Sequence, residues 1–145
     1  MATLKELLLA PAVRPKVIDD CVTLVDDEVA AKSGLAGLAI KAAYAIVKKV
    51  KPGIIREAVD HLLDDFVARL EPFYAESLQA KSPVDSYFGA RAEAIADALL
   101  GVTDARAERA KNKTIKAAYD KLRPTGVKHT AAAVPGVARL IGRHA

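Results

Sequence analysis

The sequence predicts an all-α fold: a single-domain bundle of about six to eight helices over residues 1–145, packed around a central apolar helix at about residues 34–51. Three observations carry that expectation. The chain holds 29 alanines against seven aromatic residues and no Trp, and alanine is the strongest helix former and a poor strand residue. Hydrophobic residues make up 52% and charged residues 28%. That balance supports a sizeable core at this length and argues against both disorder and an integral membrane bundle. Apolar residues recur at helical spacing, whereas no run of five or six residues alternates strictly between apolar and polar.

The elements follow in order. Thr3-Leu4-Lys5-Glu6 reads as a capping box that starts a short amphipathic helix. The leucines after it resemble a signal peptide only superficially, because the apolar run is short and interrupted by Glu6. Two prolines in APAVRP impose an extended connection, and Pro15 suits the first turn of a second helix at about Arg14–Lys32. There Val17, Cys21, Val25 and Val29 repeat every fourth residue, opposite Asp19, Asp20, Asp26 and Asp27. Gly34 is expected to cap that helix and Gly37 to pack closely behind it.

The third helix, GLAGLAIKAAYAIVKKV, is apolar over most of its circumference, which places it inside a bundle or in lipid. From Ser33 to Val47 it spans about 23 Å, short of the ~30 Å hydrocarbon core of a bilayer, and Lys41 falls mid-span. The expectation is therefore a buried central helix. Its lysines emerge at the C-terminal end, where the helix dipole favours them.

Pro52-Gly53 separates a fourth helix, about Ile54–Leu70, whose core stripe is Ile55, Val59, Leu62, Leu63, Phe66 and Leu70. Pro72 is expected to kink or restart it. Ser82-Pro83-Val84-Asp85 reads as a second capping box, opening a region that buries Tyr87, Phe88, Ile95, Leu99 and Leu100. Gly101 and Thr103 suggest a break before a basic helical run, and two short helices, one after Thr125 and one from Pro135, complete the chain. Ile40-Lys41-Ala42-Ala43-Tyr44 recurs as Ile115-Lys116-Ala117-Ala118-Tyr119. The flanking residues keep no common register, so coincidence in an alanine-rich chain is the simpler reading.

Chemistry-bearing motifs are scarce. Neither a nucleophile elbow nor Ser-x-x-Lys is present, and Gly34-Leu-Ala-Gly37 lacks the ending of a phosphate-binding loop. No motif calls for a cofactor or names a catalytic residue. Cys21 lies on an apolar face among acids, which opposes the thiolate. A single cysteine fits a reducing compartment, so a cytoplasmic location is expected. Glu57, His61 and Asp64 share one helix face and are the candidates for a divalent metal. A solvated acidic face is the plainer alternative.

Charge is unevenly spread. Residues 1–100 carry 12 Lys/Arg and 15 Asp/Glu, whereas residues 101–145 carry 10 and 3. The foremost expectation is a non-enzymatic interaction or scaffold protein that meets an unknown protein partner or associates with itself. The alternatives are binding to an anionic membrane surface or lipid, and a carboxylate/His metal site or small-ligand site. Lys48, Lys49, Lys51, Arg139 and Arg143 are the candidate interaction residues. Basic charge supports salt-sensitive nucleic-acid contact, but nothing in the sequence specifies a base sequence.

Overall fold

The computed structural model describes residues 2–145, and among them it shows eight α-helices and no strand. The helices are α1 (Leu4–Leu8), α2 (Arg14–Ala31), α3 (Gly34–Val50), α4 (Ile54–Gln79), α5 (Val84–Ala90), α6 (Ala92–Glu108), α7 (Lys113–Leu122) and α8 (Gly126–His144). A short 3₁₀ turn, Arg123–Thr125, leads into α8. The all-α bundle read from the sequence is the fold.

Local chemistry explains the starts. The Thr3 hydroxyl accepts from the Glu6 amide and Glu6 reaches back to Thr3, forming the expected capping box. A second cap comes from far along the chain: the Glu71 carboxylate accepts the Leu4 and Lys5 amides at 3.0 and 3.3 Å. Asn112 caps α7 by accepting from Thr114 and Ile115. Gly34 and Gly53 adopt φ of 71° and 73° at the two tight connections, a conformation that glycine enters without a Cβ penalty.

Several expected breaks are absent. α4 continues through Pro72, α6 continues through Gly101 and Thr103, and α8 continues through Pro135 as one helix rather than two. An internal proline forfeits one backbone hydrogen bond and crowds the preceding turn, at a cost of about 3 kcal/mol. Buried residues on both sides of each proline, Leu70 and Tyr74 in α4, Val134 and Ala138 in α8, tie the helix to the core and outweigh that cost. Ser82 does not cap. Pro83 occupies the N-cap of α5 and makes no side-chain cap bond.

The helix at 34–51 forms, but not at the centre. Leu35 is 87% exposed, Leu38 65% and Ile46 49%; only Gly37, Ile40 and Ala43 are buried. The core is built instead from α1, α2, α4, α5, α6 and α8, with Leu8, Val17, Val67, Phe88, Ile95 and Ile141 among its members. α3 presents only a narrow face, Gly37, Ile40 and Ala43, to its neighbours. It therefore packs as an outer layer, against α7, α2 and α4.

A repeat organises the bundle. Each half of the chain runs short helix, long helix, IKAAY helix, proline-containing long helix. Contacts between helices come in matched pairs: α1 on α4 as α5 on α8, α2 on α4 as α6 on α8, α2 on α8 as α6 on α4, α1 on α8 as α5 on α4. α3 packs on its own counterpart, α7, as a two-fold relation requires. Buried positions match as well: Leu8 with Phe88, Val17 with Ile95, Leu63 with Val134, Leu70 with Ile141.

The two IKAAY tyrosines also do the same thing. The Tyr44 hydroxyl donates to Asp26 on the preceding helix, and the Tyr119 hydroxyl donates to Asp104 on its own preceding helix. One turn on, Lys48 approaches Asp26 to 4.0 Å, and Arg123 pairs with Asp104 at 2.8 Å. Coincidence does not account for an aspartate, a tyrosine and a cation repeated in equivalent places. The register is lost in sequence because spacings differ between the halves: Asp26 and Tyr44 are 18 residues apart, Asp104 and Tyr119 only 15.

Two glycines make opposite predictions. A Cβ on Gly37 would lie 2.7 Å from the carbonyl carbon of Lys32, and backbone there cannot yield. On Gly136 a Cβ would meet the tip of Leu24, which can swing into open space described below. Gly37→Ala is expected to cost about 1–3 kcal/mol. Gly136→Ala should be neutral or gain up to ~1 kcal/mol of helix propensity. Thermal melts followed by circular dichroism decide, and a larger loss for Gly136→Ala would contradict the packing described.

Candidate functional site

A cavity of about 420 Å³ lies between the two repeats, within the size range of small-molecule sites. Its walls come from the inner faces of four long helices: Cys21, Leu24 and Val25 of α2, Val59, Leu63 and Phe66 of α4, Leu99 and Leu100 of α6, Val137 and Leu140 of α8. The walls are almost entirely apolar. Such a space offers water too few polar partners and is a receptor for apolar groups.

Why the core leaves this space is visible in the repeat. Where α4 carries Ile55, Val59 and Leu62, α8 carries Gly126, Thr130 and Ala133 at matching positions. Gly126 and Ala133, far smaller than Ile55 and Leu62, leave unfilled volume in the second unit.

Polar side chains gather at the margin. Glu28 and Lys32 face each other at 3.7 Å, and His129 and Thr130 sit close by. Burial, then Lys32 and Lys128, push the His129 imidazole below its ordinary pKa. Among the described residues no side-chain hydrogen bond engages His129 or Thr130. Farther round, Tyr119 and Arg123 line the cavity but are held by Asp104. The Arg123 and Tyr119 bonds lower the Asp104 carboxyl, while burial and Asp104 raise the Tyr119 phenol. The Cys21 thiol, pushed up to about 11 by burial and by Asp20, is an unreactive part of the wall.

The residues singled out from the sequence lie elsewhere. Glu57 pairs with Lys51 at 2.6 Å, and that bond holds its carboxyl below the ordinary range. Arg14 takes up Asp64 and also reaches Asp60 at 3.2 Å. His61 is exposed, on a second, smaller pocket with Arg69, Arg106 and Arg109. The three candidate ligands are thus on one helix face, but two of them are engaged by cations. Among the described residues no group of three or more His, Cys, Asp or Glu is gathered as a metal would need.

Of the cationic candidates, Lys48 faces Asp26 and lies 5.1 Å above the Tyr44 ring. Arg143 lies 3.7 Å from Asp20, which also meets His144 at 2.8 Å. Lys49 and Arg139 are exposed. No described helix is long and apolar enough to cross a membrane.

Lys32, His129 and Thr130 were not signalled by any motif. They belong to two separate stretches of the chain, and only the packing of α2 against α8 brings them together. The molecule is therefore a two-repeat helical bundle with an apolar cavity and a polar margin. The chain belongs to DUF6918, a family of unknown function, whose family model matches residues 4–145. No curated protein and no solved structure matches it.

Proposed function

We propose that the protein binds a small amphipathic molecule, an aliphatic chain with an anionic head of the kind a fatty acid carries. The apolar cavity of about 420 Å³ carries this reading. Lys32, His129 and Thr130 on the cavity lining support the head-group assignment, because each can donate a hydrogen bond to a carboxylate, with Lys32 shared by Glu28 at 3.7 Å. The scaffold expectation ranks second, because part of the charge asymmetry that motivated it is used inside the chain, where Arg143 and His144 meet Asp20.

The test uses delipidated protein and a series of saturated fatty acids from octanoate to palmitate. Native mass spectrometry should show one molecule retained per chain, and the same acids should displace a fluorescent apolar probe. Retention of none of them would end the proposal, and equal affinity for the methyl esters would remove the head group from it.

His129 supplies a second readout. In the free protein its pKa lies below the unfolded value, so the unfolded state binds more protons. Its contribution to stability is complete above about pH 6.5 and is lost as pH falls below that value. A bound carboxylate offsets the burial and lysine effects. The His129 resonance should then titrate at higher pH with ligand than without, and the acid-side loss of stability should shrink.

A further inference from the structure

We infer that α3 and α7 form a docking surface for an anionic lipid bilayer. The proposal goes beyond the ligand reading and is tested separately from it. The observation behind it is the exposed outer face of α3. At 3.6 residues per turn, Leu35, Leu38, Ala42, Ala45 and Ile46 fall within one stripe of about 100°, diametrically opposite the buried Gly37, Ile40 and Ala43. Leu35, Leu38 and Ile46 are the large hydrophobic side chains that stand exposed among the described residues, and all three are on this stripe.

Charge identifies the partner. α3 contains no acidic residue and three lysines, Lys41, Lys48 and Lys49. The adjacent α7 adds exposed Lys113, Lys116 and Lys121 against Asp120 alone. These two helices balance at +5, whereas the whole chain carries +4, so the cationic excess of the molecule is concentrated in this layer. Leu35, Leu38 and Ile46, with Lys49 inside the stripe and Lys41 just beyond its edge, combine the aliphatic and cationic groups that the acyl and head-group zones of an anionic interface take up.

Other occupants fit less well. A second copy of the same face would set lysine against lysine, which opposes association. Nucleic acid would gain nothing from the leucines, and the aromatic rings of these helices, Tyr44 and Tyr119, are tied by their hydroxyls to Asp26 and Asp104. The inner edge of the same α3 places Ile40 on the cavity wall. A bilayer seated on the outer stripe would therefore lie one helix away from the proposed ligand.

The experiment is flotation of the full chain with vesicles of phosphatidylcholine, alone or mixed with phosphatidylglycerol, at low and high salt. Binding is expected to the mixed vesicles only and to weaken as salt rises. Lys41→Gln with Lys49→Gln should lower affinity roughly fivefold per lysine. Leu35→Ser with Leu38→Ser, both exposed and so compatible with an unchanged fold, should lower it at least tenfold while leaving fatty-acid retention in solution intact. Circular dichroism of each variant separates loss of docking from loss of structure. Three results would overturn the proposal: no flotation at low salt, equal flotation with neutral vesicles, or a dimer that the Leu35/Leu38 variant dissolves. Loss of fatty-acid retention alongside normal flotation would count against the ligand reading only.

Discussion

Phe88→Ala is expected to destabilise the protein by about 3–5 kcal/mol and to lower Tm by roughly 10–15 °C for a chain of this size. Phe88 is the largest of the fully buried side chains. It anchors α5, a helix of 7 residues too short to persist without tertiary contacts. Against a total stability of order 5–15 kcal/mol, that loss leaves little in reserve. Leu8, its counterpart in the first repeat, is 2% exposed, and Leu8→Ala should cost about 2–5 kcal/mol for the same reason. The repeat adds a sharper expectation. α2 packs on both α4 and α8, and α6 does likewise, so neither half keeps its core without the other. Urea denaturation of Phe88→Ala should remain a single transition shifted to lower denaturant. Two separated transitions would mean that the halves fold independently, and a loss under 1 kcal/mol would mean that Phe88 does not hold α5 in place.

What the sequence made legible was periodicity and local capping. Thr3-Glu6, Pro15 and Pro52-Gly53 mark real boundaries because each acts within a single turn of chain. Pro72, Gly101 and Pro135 misled for the complementary reason: a local breaker costs a few kcal/mol, and whether it breaks depends on burial at residues such as Tyr74 and Val134, which is a tertiary property. α3 misled in a different way. Its hydrophobicity is spread all around the helix, and a pattern without a polar face does not say which side is covered. Much of it is alanine, which a surface accepts, and the larger side chains Leu35, Leu38 and Ile46 lie outside. The repeat was half visible in IKAAY. Extending the comparison to the cation one turn later and to an aspartate on the preceding helix, across connections of unequal length, would have revealed it. A small-ligand site was among the sequence alternatives, but the place and walls of the cavity were not legible, since it is defined by what Gly126 and Ala133 fail to fill.

That origin gives the cavity its most direct test. Thr130→Val, Ala133→Leu and Val137→Phe together would give the second repeat the residues that the first carries as Val59, Leu62 and Phe66. All three altered positions line the cavity of about 420 Å³; Thr130→Val exchanges a hydroxyl for a methyl, and the atoms added at Ala133 and Val137 enter open volume instead of an occupied core. Ordinary overpacking costs 1–3 kcal/mol. Here each buried methylene is expected to return about 0.8 kcal/mol, less whatever rotamer freedom is lost on burial. Tm should therefore hold or rise, while retention of fatty acid falls at least a hundredfold. Ala96 provides the control. It is 0% exposed in α6 and lines no part of the cavity, so Ala96→Leu should destabilise the protein by overpacking without a matching gain. If the triple variant melts well below the parent, the space between the repeats is not open in solution. If it stays folded and binds as the parent does, the ligand resides elsewhere.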